Sequence, residues 1–315
     1  MLRTKALRKI LITSITLFIF VTIYSIKNIQ NENVLNVSLE VEYVNSMGNG
    51  NIYLLDNNNY LVKTNILLTK KGKKEQILHI LNNLIEENNK SYPNNLHGTI
   101  PKNTKVLDVT YDEKYVTINF SNEILKVKKD IEEKMIESIV YSVMDLKKID
   151  GIYIQVEGKI LEEMPYTKTK IQYPLNKNIG INKEYNLNSR NDINKTVIYY
   201  LEDIDNKNYY VPVTKYLNTK DDKIKVIIDS LTTSYIYEKN LMSFLSTDLK
   251  LNQYNEEENV FFLDFNNHLY NKNDKILEEV IYSISYSVFD NYDVNSIVFS
   301  VDGKNIKTVF LEDLK

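Results

Sequence analysis

The second half of this chain repeats the first half at a shift of 145 residues. The segment Tyr141-Ser142-Val143-x-Asp145 recurs as Tyr286-Ser287-Val288-x-Asp290, and Phe120 corresponds to Phe265 in the same register. A repeat of this length matches the size of an ordinary small domain. The sequence therefore predicts two copies of one domain rather than a single large core.

Hydrophobic periodicity gives the secondary structure of each copy. Apolar residues at spacings of three and four predict a helix in both halves, with Ile131, Met135, Ile136, Ile139 and Val143 matching Ile276, Val280, Ile281, Ile284 and Val288. Alternating apolar residues predict strands, with Val116, Ile118 and Phe120 matching Phe261, Leu263 and Phe265. An earlier helix and an opening hairpin also recur, the hairpin with its second strand starting at Tyr60 and Tyr209. The prediction is an α+β fold, β-β-α-β-β-α-β in each copy.

The copies set the predicted domain boundaries. The first spans residues 48–164 and the second spans residues 194–315. Residues 165–193 contain two prolines without clear periodicity and are predicted to be a linker. Residues 28–47 are predicted to be a juxtamembrane stalk.

An uncharged apolar run at residues 10–26 predicts a transmembrane anchor. Seventeen residues reach about 25 Å as a helix, and flanking Lys and Arg side chains can extend to the membrane surface. No small-residue cleavage site follows the run, so we expect it to stay attached. Residues 1–27 are therefore predicted to form a short cytoplasmic segment and a single-pass membrane anchor. The basic cluster before the run should stay in the cytoplasm, which puts the body of the protein on the other side of the membrane. A buried core helix is the alternative interpretation.

Composition excludes several classes of protein. After residue 27 the chain has 34 basic and 42 acidic residues, which argues against nucleic acid as a partner. The absence of cysteine excludes disulfides, thiolate metal sites and a thiol nucleophile. With 24 tyrosines the chain could offer aromatic surfaces to sugars, so a module that binds cell-wall glycan is the alternative function.

A search for catalytic or binding residues leads to a prediction of none. His79, His97 and His268 lack the neighbours that a metal site requires. Asp145 and Asp290 are candidate general bases, but neither has a partner acid or histidine nearby in sequence. Gly158 and Gly303 follow strands and indicate tight turns rather than phosphate binding. We expect no catalytic, cofactor-binding or metal-binding residues, and no small-molecule cofactor. An enzyme, such as a wall hydrolase, is the third hypothesis for the function, after a structural protein and a glycan-binding module.

Several motifs, in their order and spacing, resemble the GerM-domain family of spore-forming bacteria. The first copy contains Ile100-Pro101-Lys102-Asn103-Thr104-Lys105-Val106, Asn119-Phe120-Ser121, Tyr141-Ser142-Val143 and Glu157-Gly158-Lys159. The second copy keeps Asp264-Phe265, Tyr286-Ser287-Val288 and Asp302-Gly303-Lys304, but has Leu245-Ser246-Thr247 in place of the Ile-Pro segment. The family's lipidated cysteine is absent, and the transmembrane run takes its place.

The resemblance implies a fold similar to ring-building motifs, which pack side by side rather than catalyse a reaction. It further implies a non-enzymatic protein that supports sporulation and germination by assembling or stabilising an envelope complex between mother cell and forespore. The expected partners are proteins of that complex, with self-association included. The expected location is the cell membrane, with the N-terminus cytoplasmic and the body outside the cytoplasm; the outer forespore membrane, with the body in the intermembrane space, is one such location.

Overall fold

The first repeat follows the predicted order of elements and adds one strand. In a computed structural model, its elements are β1 (Met47–Leu55), β2 (Leu61–Thr69), α1 (Lys73–Leu84), β3 (Val106–Asp112), β4 (Tyr115–Phe120), α2 (Glu132–Met144), β5 (Gly151–Val156) and β6 (Lys159–Ile160). A short strand, β7 (Glu184–Asn186), lies between the repeats. The second repeat has β8 (Ile193–Ile204), β9 (Lys207–Asn218), α3 (Lys223–Thr232), β10 (Leu251–Glu257), β11 (Val260–Phe265), α4 (Glu278–Asn291), β12 (Ser296–Val301) and β13 (Lys304–Phe310).

The structure describes residues 47–69, 72–86, 92–233, 240–271, 273 and 275–314. From Gly48 onward these residues form one compact unit. The predicted anchor at residues 10–26 and nearly all of the predicted stalk lie outside the described residues. Within the described ranges, no helix is both long enough and apolar enough to span a bilayer.

Each repeat contains its own four-stranded sheet, so the α+β class is confirmed. The orders are β3-β4-β5-β6 and β10-β11-β12-β13, with the central pair parallel and the outer pairs antiparallel. The sequence analysis missed the last strand of each copy. These strands, β6 and β13, come directly after the turns at Gly158 and Gly303. Each turn joins two antiparallel strands, and Gly158 and Gly303 adopt φ angles of +79° and +78°. A tight hairpin turn requires this left-handed conformation.

The alternating residues that predicted strands do point into the core. Phe120 and Phe265 are fully buried at equivalent positions of β4 and β11, and the apolar faces of α2 and α4 are buried as well. Burying a phenylalanine side chain contributes about 2 kcal/mol relative to leaving it exposed. The two repeats are therefore built on matched cores.

A third sheet, which has five strands, joins the repeats edge to edge. The two opening hairpins form one sheet in the order β1-β2-β9-β7, with β8 paired along β9. Strand β2 of the first repeat meets β9 of the second in antiparallel register, with Lys63 opposite Tyr210. The opening hairpins therefore belong to a sheet that neither repeat forms alone.

Asn182 completes the sheet junction two residues beyond that register pair. Its side-chain oxygen accepts from the Leu61 amide at 2.8 Å, and its side-chain nitrogen donates to the carbonyl oxygens of Leu61 at 2.9 Å and Pro212 at 2.7 Å. Pro212 has no N–H and cannot complete a ladder by itself. The asparagine amide supplies hydrogen bonds that the strands lack at this point.

Ionic contacts hold the segment around Asn182 against helix α2. The side chain of Glu137 is 2% exposed. Its carboxylate accepts a hydrogen bond from the backbone N–H of Asn182 at 3.0 Å and lies 2.8 Å from the Lys183 ammonium. Glu133 contacts the same ammonium at 2.6 Å. Burial alone would lower the pKa of Lys183, but the two carboxylates outweigh it and raise that pKa. Residues within the predicted linker are thus packed into the body of the protein.

Candidate functional site

The two carboxylates singled out in the sequence lie at one cavity between the repeats. Asp145 ends α2 and Asp290 lies in the last turn of α4. Each helix is fixed to the shared sheet by the same contact, because Ser142 accepts from the Tyr53 amide and Ser287 accepts from the Tyr199 amide, both at 2.9 Å. Both helix ends therefore line a cavity of about 190 Å³.

Two linked tyrosine hydroxyls belong to the lining of this cavity. The hydroxyl of Tyr199 donates to Asp290 Oδ2 at 2.6 Å, so the hydroxyl of Tyr53, 3.3 Å away, donates to Tyr199. Lys177 donates to Asp290 Oδ1 at 3.0 Å, and its own carbonyl accepts from Tyr141 at 3.1 Å. Residues of the first repeat, the intervening segment and the second repeat are thus connected in one network.

Electrostatics keep Asp290 charged and the tyrosines protonated. Burial opposes ionisation of Asp290, but the charge of Lys177 and hydrogen bonds from Tyr199 and Lys177 outweigh it and hold the pKa of Asp290 below its ordinary value. Burial, followed by the charges of Asp145 and Asp290, raises the pKa of Tyr53 well above its ordinary value. The hydroxyls therefore act as hydrogen-bond donors, and the Asp290 carboxylate is engaged in an ion pair.

Asp145 is held differently from its counterpart. Its Oδ2 accepts from the side-chain amide of Asn51 at 3.0 Å. A general base needs an open approach to a substrate proton, and a nucleophile needs a base beside it. The contacts of Asp145 and Asp290 instead tie helix ends to strands. The arrangement can stabilise the junction of the repeats, and the sequence had no signal that these two acids would meet.

A second pair of equivalent acids meets at the other end of the junction. Asp56 Oδ1 accepts from the amides of Asn58 and Tyr60, at 2.9 and 2.6 Å, and Glu202 Oε1 accepts from Asn58 Nδ2 at 2.6 Å. Their remaining oxygens are buried and lack a hydrogen-bond donor within the described ranges. Burial and the neighbouring Asp56 raise the pKa of Glu202 to about 8. A proton held between the two carboxyl groups satisfies both oxygens.

The three histidines lie apart from this junction chemistry. His97 is exposed and its ring contacts Asn57 Oδ1 at 3.3 Å, while His79 and His268 are exposed on α1 and on a short 3-10 turn. In the part of the chain that the structure describes, no group of three or more histidine, aspartate or glutamate residues is arranged to hold a metal ion.

A tyrosine-lined cleft opens beside the cavity. It encloses about 490 Å³ between β2, β9 and α4, and it shares Lys63, Tyr286 and Leu314 with the cavity. The ammonium of Lys63 lies 3.6 Å from the centre of the Tyr286 ring, and Tyr210 packs edge-on against the same ring at 5.0 Å. A volume of this size falls in the range of ligand-binding sites.

A family model described as "Germane: Sporulation and spore germination" matches residues 51–162 and 197–307. This chain belongs to the Germane family. The spore germination protein GerM of Bacillus subtilis is 30% identical over 264 residues, which cover 81% of this chain and 71% of that protein. The solved structure of the tandem GerMN domains of the sporulation protein GerM from Bacillus subtilis has a TM-score of 0.74 and 29% identity, covering 82% of this chain and 92% of that one. The two copies found in the sequence are thus tandem domains of the Germane family.

Proposed function

We propose that this protein is a non-enzymatic sporulation and germination protein that works by holding proteins together in an envelope complex between mother cell and forespore. Membership of the Germane family supports the process. The observation that carries the mechanism is the use of both candidate carboxylates at the junction, where Asp290 pairs with Lys177 and Tyr199, and Asp145 binds Asn51.

The proposed location follows from the sequence. Residues 10–26 would anchor the chain in the cell membrane, and the basic residues before them would keep the N-terminus in the cytoplasm. The two-repeat body would then face the space between the membranes, where proteins of an envelope complex can reach it. The buried polar clusters around Asp290 and Asn182 bind other parts of the same chain. We therefore propose that the protein binds other proteins, or further copies of itself, through its surface.

Complementation of a deletion strain tests this function. Deletion should leave vegetative growth normal and reduce the yield of mature or germinating spores. Asp145→Asn and His97→Ala should restore sporulation in that strain, because neither residue would perform chemistry. Charge reversals at the exposed Lys128 and Lys275, one in each repeat, test the surface by comparing sporulation with the amount of membrane complex on native gels.

Enzymatic action would give the opposite result. Loss of sporulation from Asp145→Asn or His97→Ala, with protein abundance and the high-mass membrane complex unchanged, would contradict the proposal.

A further inference from the structure

Another pocket shares Lys177 and Asp290 with the cavity between the repeats. It has a volume of about 350 Å³, and it is lined by Tyr141 of the first repeat, by residues 177–178 of the intervening segment and by residues of the second repeat. This volume lies at the lower end of the range of ligand sites. The pocket is therefore large enough to hold a small ligand where the parts of the chain meet.

The charged side chains that line this pocket are three lysines and one aspartate, namely Lys177, Lys195, Lys223 and Asp290. The aspartate is already neutralised, because the Lys177 ammonium donates to its Oδ1 at 3.0 Å and the Tyr199 hydroxyl donates to its Oδ2 at 2.6 Å. Both carboxylate oxygens thus have donors. The pocket keeps the positive charge of two ammonium groups, those of Lys195 and Lys223.

The ammonium group of Lys195 is fixed in place and lacks a compensating anion. It donates to the backbone carbonyls of residues 177 and 178, at 3.4 and 2.7 Å. A lysine ammonium has three N–H donors, so one remains for a ligand. Burial, followed by the charges of Lys223 and Lys183, lowers the pKa of Lys195, and the charge of Asp290 offsets this only in part.

The second ammonium group belongs to the first residue of α3, Lys223, whose side chain is partly buried. The preceding acid, Asp222, does not cap the helix with its carboxylate, which instead accepts from the Tyr254 hydroxyl. Asp221 Oδ2 accepts from the Thr219 hydroxyl at 2.7 Å. Neither acid lines the pocket. The first turn of a helix carries partial positive charge, so the start of α3 adds to the attraction for an anion.

The fold itself does not require these two lysines. Among the described residues, neither Lys195 nor Lys223 lies within ion-pair distance of a carboxylate. Alignment of the opening hairpins pairs Lys195 with Asn49, and alignment of α1 with α3 pairs Lys223 with Gln76. The first repeat therefore has uncharged residues at both matched positions. A ligand that carries negative charge accounts for two partly buried ammonium groups in the second repeat alone.

We propose that this pocket binds a phosphate group, which belongs either to free phosphate or to a small phosphomonoester. A phosphate group carries a charge of about −1.5 to −2 near pH 7 and matches two uncompensated ammonium groups, whereas a single carboxylate does not. The bound group would connect residues 177–178 with Lys223 and so stabilise the junction of the repeats. The inference goes beyond the proposed function, which needs no ligand.

Calorimetry on the full-length protein in detergent micelles tests the proposal, at pH 7 and constant ionic strength. One inorganic phosphate should bind per chain with a Kd of about 1 mM or tighter, and acetate should bind at least about tenfold more weakly. Titration with glycerol phosphate identifies the source of the group. Similar affinity for it indicates an ester, and binding of inorganic phosphate alone indicates the free ion. Saturable binding of neither phosphate probe, or acetate binding as tightly as they do, would overturn the proposal.

Three lysine substitutions separate this pocket from a general effect of charge. Lys195→Gln and Lys223→Gln each remove a charged donor and should weaken phosphate binding about tenfold or more. Lys225→Gln is the matched control, because Lys225 is exposed on the same helix and the change in net charge is the same. It should bind phosphate as the parent does. Equal loss in Lys223→Gln and Lys225→Gln would contradict a site in this pocket.

Thermal melts provide a second readout. Phosphate should raise the melting temperature of the parent at constant ionic strength, because only the folded chain forms the pocket, and this rise should disappear in Lys223→Gln. Without phosphate, Lys223→Gln should melt no lower than the parent, since the change relieves repulsion with Lys195. A clearly lower melting temperature would show that Lys223 serves folding and would contradict a role in ligand binding.

Failure of this inference is distinguishable from failure of the proposed function. A deletion strain with a sporulation defect, together with a protein that binds neither phosphate probe, would reject the phosphate site alone and leave the proposed function in place.

Discussion

Tyr53 and Tyr199 meet hydroxyl to hydroxyl, 3.3 Å apart, although 146 residues separate them in the chain. Each residue holds the same position in its repeat, and each backbone amide binds the equivalent serine of its own helix. The two copies therefore face each other about a common polar centre. This relationship makes the stability of one repeat depend on the other.

Loss of the Asp290 charge should destabilise the protein in a pH-dependent way. Asp290→Asn leaves the Lys177 ammonium, 32% exposed, without its carboxylate, and should lower the free energy of unfolding by about 2 kcal/mol at pH 7. The pKa of Asp290 is held below its ordinary value, so the ion pair stabilises the fold above about pH 4 and this contribution is lost as the pH falls further. Urea unfolding at pH 7 and pH 3 measures the difference, which should shrink at pH 3.

Asp293→Asn is the matched control, because Asp293 is exposed near the end of the same helix. This substitution should change the free energy of unfolding by close to zero at both pH values. An Asp290→Asn cost that is equal at pH 7 and pH 3 would show that the carboxylate charge is not the stabilising feature.

Replacement of Glu202 should stabilise the protein at high pH. Burial and Asp56 raise the pKa of Glu202 to about 8, so the folded state retains a proton that the unfolded chain releases near pH 4.5. Stability is therefore full below about pH 4.5 and decreases as the pH rises toward 8. Glu202→Gln can donate to Asp56 and accept from Asn58 at any pH. It should raise the free energy of unfolding at pH 9 by on the order of 2 kcal/mol.

Thermal melts of parent and Glu202→Gln protein between pH 5 and pH 9 measure this effect. The melting temperature of the parent should fall across the range, and that of the variant should stay nearly level. A variant less stable than the parent at pH 9 would contradict a shared proton.

Asn182 should be more important for stability than its place between the repeats suggests. Asn182→Ala removes three hydrogen bonds to the backbone of Leu61 and Pro212 and leaves buried polar groups without partners. We expect a loss of about 2 to 4 kcal/mol in the free energy of unfolding, measured by urea denaturation. Asn178→Ala, at an exposed position nearby, should cost less than about 0.5 kcal/mol. A similarly small loss in the free energy of unfolding for both variants would show that Asn182 does not stabilise the junction of the repeats.

Periodicity predicted the repeated cores because each strand and helix face is encoded locally. The positions of Phe120 and Phe265 follow from alternation within six-residue strands, and both are fully buried. The junction was not predictable in this way. Contacts of Asn182 with Leu61 span 121 residues, and a single asparagine among many gives no periodic signal. Asp145 and Asp290 likewise looked isolated because their meeting depends on how two folded repeats pack.

The membrane anchor remains a prediction from the sequence. Because no small-residue cleavage site follows Ile26, mass spectrometry of membrane-extracted protein should recover peptides from residues 1–27 in the full-length chain. Protease added to intact protoplasts should digest the body, since the basic cluster keeps the N-terminus inside. A mature form that begins between residues 28 and 35 would contradict an uncleaved anchor.

The central claim is that the two repeats form one folding body through the shared sheet. Native-state hydrogen exchange on the Phe265→Ala protein tests it, because this change empties a fully buried site in the second repeat and should cost about 3 to 5 kcal/mol. If the repeats unfold together, amides of β4 in the first repeat should exchange at least about a hundredfold faster, as much as those of β11. Faster exchange confined to the second repeat, with β4 amides at parental rates, would contradict a single body.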